Sequence, residues 1–432
     1  MFPTGFSPRV GRALKSVSAA VAINQMALIA VFPVLTRLYP NFEFSLYQVA
    51  FSISVVAQTI FTGGLEYFIP AATTAVDAKR LVRRCRIYVV VSSMVVASGA
   101  LAAFLIGYRD VALVIVVSGL LALGLAVTAI DNASLIRDQQ SKVMVRRNYL
   151  SALLAPAGQI FFGLILPLAV LLPFCILAAR LAAVLFVKID RETEVVSRGS
   201  SAKVTSTSAD HVITSRHSRV GAASGVQWIL AVAASNAAIQ VPVYVEASIG
   251  DVAAAGQLAI AIRVVGILAT LIGGGVSQGL VYRLSDLSRR DSTRSLAFFR
   301  ARQRQYAFAS VAVGAAIAIA APFLATPILG ADYALAGILT AILAVPFSLQ
   351  LVNRVVTPVY PLLGAVTTLF KFQFVRFIVS LLVICTIKYL SPSVLVLAVG
   401  VAVSTLVFHA MFFFLSMRVA SRVWGDGPRG KF

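Results

Sequence analysis

Apolar runs of about twenty residues recur along the whole chain, separated by short polar or basic stretches. Each run is long enough to cross about 30 Å of hydrocarbon as a helix. A helix is what lipid demands, because it satisfies its own backbone hydrogen bonds where no water can reach. Composition agrees: 59% of the residues are hydrophobic and 12% are charged, whereas a soluble domain carries about a quarter charged residues. The expected fold class is all-α, a polytopic membrane protein.

The runs read as about twelve transmembrane helices: 14–35, 44–69, 87–107, 111–135, 149–166, 168–187, 222–245, 252–280, 306–329, 333–355, 372–390 and 394–415. Little polar sequence separates the fifth from the sixth. Pro156 and Pro167 fit a kinked helix or a tight turn there. From 188 to 220 the composition becomes polar, rich in Ser and Thr and of mixed charge, which reads as a cytoplasmic linker between two halves. The expected organisation is an N-terminal lobe over 1–187, the linker over 188–220, a C-terminal lobe over 221–418 and a cytoplasmic tail over 419–432.

The formal net charge is +21. The basic residues fall in alternate short loops, after the second, fourth, eighth and last spans and before the first. The opposite loops hold Glu246, Asp251 and Asp332. This is the positive-inside pattern, and it puts both termini and the linker in the cytoplasm. No basic groove with interleaved aromatics lies outside the spans, so nucleic acid is not the expected partner. Arg9, Arg12 and Lys15 precede the first run, which reads as a retained span. Cys85, Cys175 and Cys385 lack paired spacing, and His211 and His217 in the linker lack convergent ligands. No metal or cofactor is expected.

The stretch 37–70, RLYPNFEFSLYQVAFSISVVAQTIFTGGLEYFIP, has a degenerate second copy 211 residues later. That offset sets Gly64 on Gly275, Ser45 on Gly256, and Asn24-Gln25 on Ser235-Asn236. Internal repeats of this kind mark transporters that alternate access between two sides of a membrane.

A charge in mid-helix costs roughly 2.5–3.5 kcal/mol on insertion scales. The candidates are Glu66, Asp131, Arg180, Arg263, Arg354, Lys371 and Arg376. Arg263 lies about eleven residues into its run and Arg180 about twelve, both near the midplane. Arg376 lies nearer the cytoplasmic side. Glu66, Asp131, Arg354 and Lys371 sit close to cytoplasmic helix ends, where a charge can snorkel. Asn24, Gln25 and Asn236 add neutral polar groups at mid-depth, read either as interhelical glue or as the lining of a hydrophilic cleft. A cavity with more arginine than carboxylate suits an anionic substrate, since guanidinium binds phosphate in bidentate fashion and stays charged. The expected substrate-binding set is Arg263, Arg180, Arg376, Arg354, Asn24, Gln25 and Asn236. Glu66 and Asp131 are candidates for ion coupling. No Walker motif or catalytic Ser/His/Asp set is present, and the chain is not expected to be an enzyme.

LTRLYP closing the first run, then FSLYQVAFSISVV, then GGLEYFIP, resembles the opening of the polysaccharide and O-antigen flippases. VAAAGQLAIAIRVVGILATLIGGGVSQGLVYRLSDL resembles their eighth helix. Those proteins belong to the multidrug/oligosaccharidyl-lipid/polysaccharide exporter (MOP) superfamily. Ser45 departs from the family pattern, where glycine is usual. The resemblance implies two pseudo-symmetric six-helix lobes around a central cavity. It also implies a bacterial inner-membrane protein that moves a polyprenyl-diphosphate-linked oligosaccharide to the periplasmic leaflet. A polysaccharide polymerase and a chain-length regulator are its expected partners. Two other readings compete: a cation-coupled drug or metabolite exporter of the same superfamily, and a membrane-embedded polysaccharide polymerase or ligase.

Overall fold

The computed structural model describes residues 27, 30–69, 72, 74–138, 140–197, 222–248 and 251–425. In chain order the helices are α1 (30–38), α2 (Asn41–Phe61), α3 (Ala75–Leu105), α4 (Arg109–Arg137), α5 (Ser141–Ile165) and α6 (Leu171–Ser197). After the linker come α7 (Ala222–Ser248), α8 (Val252–Arg290), α9 (Ser292–Leu329), α10 (Ala334–Ser348), α11 (Gln350–Val356), α12 (Val366–Leu390) and α13 (Val394–Gly425). Among the described residues nine stretches are long and apolar enough to cross a membrane. Shorter apolar stretches lie in α6, Leu171–Phe186, and in α8, Val252–Gly266. The expected first span, 14–35, lies largely outside the described residues, and α10 and α11 form one span broken at Leu349. The chain is a multi-pass all-helical membrane protein.

Several boundaries differ from the sequence reading, because a charged helix end looks like a loop to hydropathy. The basic stretch after the eighth run is helical on both sides of Asp291. The Asp291 carboxylate accepts from the Thr293 and Arg294 amides and so caps α9. Helix α6 continues to Ser197, ten residues past the lobe end expected at 187. Pro156 lies inside α5, while Pro167 falls in the turn between α5 and α6. The second run does not reach 69 as one helix: α2 ends at Phe61. There Gly63 and Gly64 both take left-handed φ, +59° and +60°. The Gly64 amide reaches back to Thr59 O and that of Gly63 to Ile60 O, satisfying the orphan carbonyls of the last turn. A short 3₁₀ turn, Leu65–Phe68, follows and carries Glu66. The repeat is imperfect here, since α8 runs on through Gly275 as helix.

Helices α2 to α6 pack among themselves, α4 lying against α2, α3 and α6. Helices α7 to α13 form a second set, centred on the α7–α12 and α9–α10 pairs. Helix α2 crosses between them and packs on both α7 and α8. Lipid is as apolar as leucine, so such contacts depend on close approach rather than on removal from water. The closest approach is Ser45 on Gly256: a Cβ on Gly256 would stand 2.3 Å from Ser45 Cβ. These two positions are related by the 211-residue offset. Contact between repeat mates is what a twofold relation between the two sets would place on its axis. At the end away from the basic stretches, Phe32, Leu35, Tyr39 and Phe44 join Ile260, Leu329 and Tyr333 in one buried apolar cluster that ties the two sets together.

Candidate functional site

Arg263 projects from α8 across the lobe boundary. It lies eleven residues after Val252, about 16 Å along the helix and so near mid-bilayer. Its Nη1 donates to Gln48 Oε1 of α2 at 3.1 Å. The guanidinium carbon stands 3.8 Å from the Phe51 ring centroid and 4.9 Å from that of Phe32. The ring faces stabilise the charge by about 0.5–2 kcal/mol without neutralising it. Arg263 Nη2 is buried and has no hydrogen-bond partner. The result is a cation held in place by the opposite lobe with donor capacity left over.

Arg180 of α6 is half-buried nine residues after Leu171, about 14 Å in. Its Nη1 donates to Gly124 O at 3.3 Å and to Thr128 Oγ1 at 3.2 Å, both on α4. It lies within electrostatic reach of Tyr47, Arg147 and Arg263. Arg147 of α5 is 2% exposed. It pairs with Asp131 at 2.9 Å and also donates to Asn132 Oδ1. The three arginines form a ladder from mid-depth toward the basic end. Its one recorded ion pair is Arg147–Asp131.

The sequence-predicted residues divide accordingly. Arg263 and Arg180 come together, and Asp131 joins them through Arg147. Arg354 is exposed on α11 and packs beside Gly273 of α8. Arg376 is buried in the interior of the C-terminal lobe on α12, apart from the ladder. Asn236 is half-buried on α7, and Asn24 and Gln25 lie outside the described residues. Glu66 is 5% exposed; neither carboxylate oxygen has a hydrogen bond of good geometry, though the Thr62 hydroxyl and the Glu66 amide lie near enough to favour its charged form in part. The nearby Thr62 hydroxyl donates to the Gln58 and Thr59 carbonyls instead. Burial raises the Glu66 carboxyl above the usual carboxylate range.

Arg147, Gln48 and Thr128 were not singled out from sequence. Arg147 stands in SKVMVRRNYL, which hydropathy reads as a loop. Helix phase separates the neighbours: α5 begins at Ser141, Arg146 is exposed and Arg147 is enclosed. No group of His, Cys, Asp or Glu among the described residues could hold a metal ion.

The fold with this site defines a class, a helical membrane protein with the architecture of the MATE transporters of the MOP superfamily. The chain is similar to a MATE transporter solved in complex with MaD5, at TM-score 0.60 and 14% identity, over 98% of this chain and 99% of that one. It is likewise similar to a Vibrio cholerae MATE transporter, at TM-score 0.55 and 14% identity over 96% and 98% of the two chains. A third is the inward-facing conformation of a multidrug resistance MATE family transporter, at TM-score 0.53 and 14% identity over 98% and 97%. No family model matches the sequence, and no curated protein matches it.

Proposed function

We propose that this chain is a flippase that carries a polyprenyl-diphosphate-linked oligosaccharide from the cytoplasmic to the periplasmic leaflet of a bacterial inner membrane. The observation that supports the reading is the run of arginines from Arg263, which crosses the lobe boundary, to Arg180 and Arg147 within the N-terminal set, with Asp131 as its carboxylate. A diphosphate brings two or more negative charges and an array of acceptor oxygens that planar guanidinium forks match. Phosphate and sugar would ride in the cleft while the polyprenyl tail stays in lipid. The two lobes would open alternately to either side, with both termini in the cytoplasm. A polymerase and a chain-length regulator would take the product onward.

The test is export of lipid-linked oligosaccharide in cells or proteoliposomes at equal expression. Arg263→Ala should lower the rate about tenfold or more, the weight of one lost charge-assisted hydrogen bond. Arg263→Lys should keep part of it, retaining charge without the fork. Normal export by Arg263→Ala would remove the central support. A second reading, cation-coupled export of small molecules, is favoured by the buried Glu66 carboxyl. Organic-cation transport that survives Arg263→Ala and fails in Glu66→Gln would select it.

A further inference from the structure

A second polar group is assembled inside the C-terminal lobe, away from the lobe boundary. The inward face of α12 runs Leu369, Gln373, Arg376, Ser380, Ile384. That of α13 includes Thr405 and His409, and α11 adds Gln350 and Asn353. On one side this layer meets the apolar cluster of Ile384, Leu397 and Val401. On the other it meets that of Leu369, Tyr360 and Phe412. Arg376 lies ten residues after Val366, about 15 Å along its helix and so near mid-bilayer. The layer is enclosed: Gln373 is 2% exposed, Arg376 3%, Gln350 4% and His409 4%.

The layer holds two buried donors without partners, on His409 and Gln350. Asn353 Nδ2 stands 3.0 Å from His409 Nδ1. With the amide assigned this way its nitrogen donates, so the neutral ring carries its hydrogen on Nε2. That Nε2 is buried without a partner, as is Gln350 Nε2. Arg376 is close enough for its charge to act on the His409 ring. No ion pair to Arg376 is recorded among the described residues. The buried acid of this lobe, Glu246, is taken by Lys388 at 2.8 Å, twelve residues further along α12. Gln373 Oε1, also unpartnered, can accept from a guanidinium but cannot cancel its charge. An arginine does not escape burial by losing its proton, and an uncompensated buried charge is expensive.

We propose that this layer binds one small monovalent inorganic anion of the halide class, held by Arg376, His409 Nε2–H and Gln350 Nε2–H. The charge count requires one negative charge. A halide supplies that charge in a single atom, whereas a phosphate brings four oxygens into an enclosed layer. The site is separate from the arginine ladder and stands whether or not the cargo reading holds.

The experiment compares thermal unfolding of the purified full-length protein in sodium chloride and in sodium isethionate at equal ionic strength. Equilibrium binding of radiolabelled chloride is the second readout. Chloride should give a saturable rise in melting temperature of about 2–5 °C. Arg263→Gln should keep that rise. Arg376→Met should lose both the rise and the binding while remaining folded in isethionate, since it removes the buried charge and keeps the volume. His409→Leu, with Arg376 in place, should weaken chloride binding about tenfold. Equal melting in the two salts overturns the proposal, as does a chloride rise that persists in Arg376→Met. An Arg376-dependent rise given by inorganic diphosphate but not by chloride also overturns it and assigns the layer to phosphate.

Discussion

Placing a methyl group on Gly256 tests how closely α2 and α8 must meet. The Cβ of Gly256→Ala would stand 2.3 Å from Ser45 Cβ, 2.4 Å from Oγ and 2.5 Å from Cα. The last is backbone, so no rotamer change relieves the clash and the helices must separate. Overpacking of this kind costs about 1–3 kcal/mol. Ser45→Gly alone should also destabilise, by about 1 kcal/mol for glycine in a helix, and by the loss of the Ser45 Oγ–Asn41 Oδ1 contact at 3.2 Å. In the double variant the glycine has moved from one helix to its repeat mate, and the propensity terms nearly cancel. Recovery should be partial, because the Cβ of Gly256→Ala would still stand 2.5 Å from the Cα of residue 45. Ser45→Gly should therefore cost less beside Gly256→Ala than in the wild type, since there it also removes the Cβ and Oγ contacts. The assay is thermal unfolding of the four proteins in detergent, with export measured in parallel. An equal loss from Ser45→Gly in both backgrounds would refute the close approach and the axis placed through it.

Glu66 holds its proton to higher pH when folded than when unfolded. Stability should thus be full at acid pH and fall as pH rises from the ordinary carboxylate range through the raised value. Glu66→Gln should flatten that fall and melt higher than wild type near neutrality; parallel melting curves across pH would refute it. Lys388 and Glu246 are 4% and 1% exposed at their side chains. Lys388→Met alone should cost about 3–5 kcal/mol by stranding the carboxylate, and adding Glu246→Met should restore most of it; thermal melting of the single and double variants decides. A cysteine at Ser285, in a protein without native cysteines, should resist an impermeant thiol reagent outside intact cells, since that end of α8 carries the basic residues; strong labelling would invert the topology.

The spans among the described residues were legible because crossing a bilayer leaves a one-dimensional trace, the length of an apolar run. Helix ends were less so. The arginines of α8 and α9 belong to helices that outlast the hydrocarbon, and hydropathy stops where the membrane does. Depth singled out Arg263 and set Arg376 nearer the cytoplasmic side; Arg263 crosses to Gln48 of α2, while Arg376 lies ten residues into α12 and faces the interior of its own lobe. Depth along a helix says nothing of direction around it, and direction comes from what α12 and α8 pack against. Arg147 was missed for the same reason, one residue of phase apart from Arg146. The 211-residue offset, read from weak letter matches, is supported by the Ser45–Gly256 contact, which no composition argument could supply.

Helices α8 and α9, 39 and 38 residues long, each extend about 57 Å against a hydrocarbon core of about 30 Å. Beyond the membrane α9 is braced by α13: Gln303 Nε2 donates to Ser416 Oγ at 2.6 Å, and Arg300 to Ser421 Oγ at 2.8 Å. The Phe299 and Trp424 rings meet edge to face. A braced rod fixed to one lobe is a lever arm. If the lobes rock about an axis near Ser45 and Gly256, a tilt of about 10° sweeps the tip at Asp291, about 52 Å along α8 from Gly256, through about 9 Å. A spin or fluorescent label at Ser292 would therefore magnify a rotation that is small at the pivot.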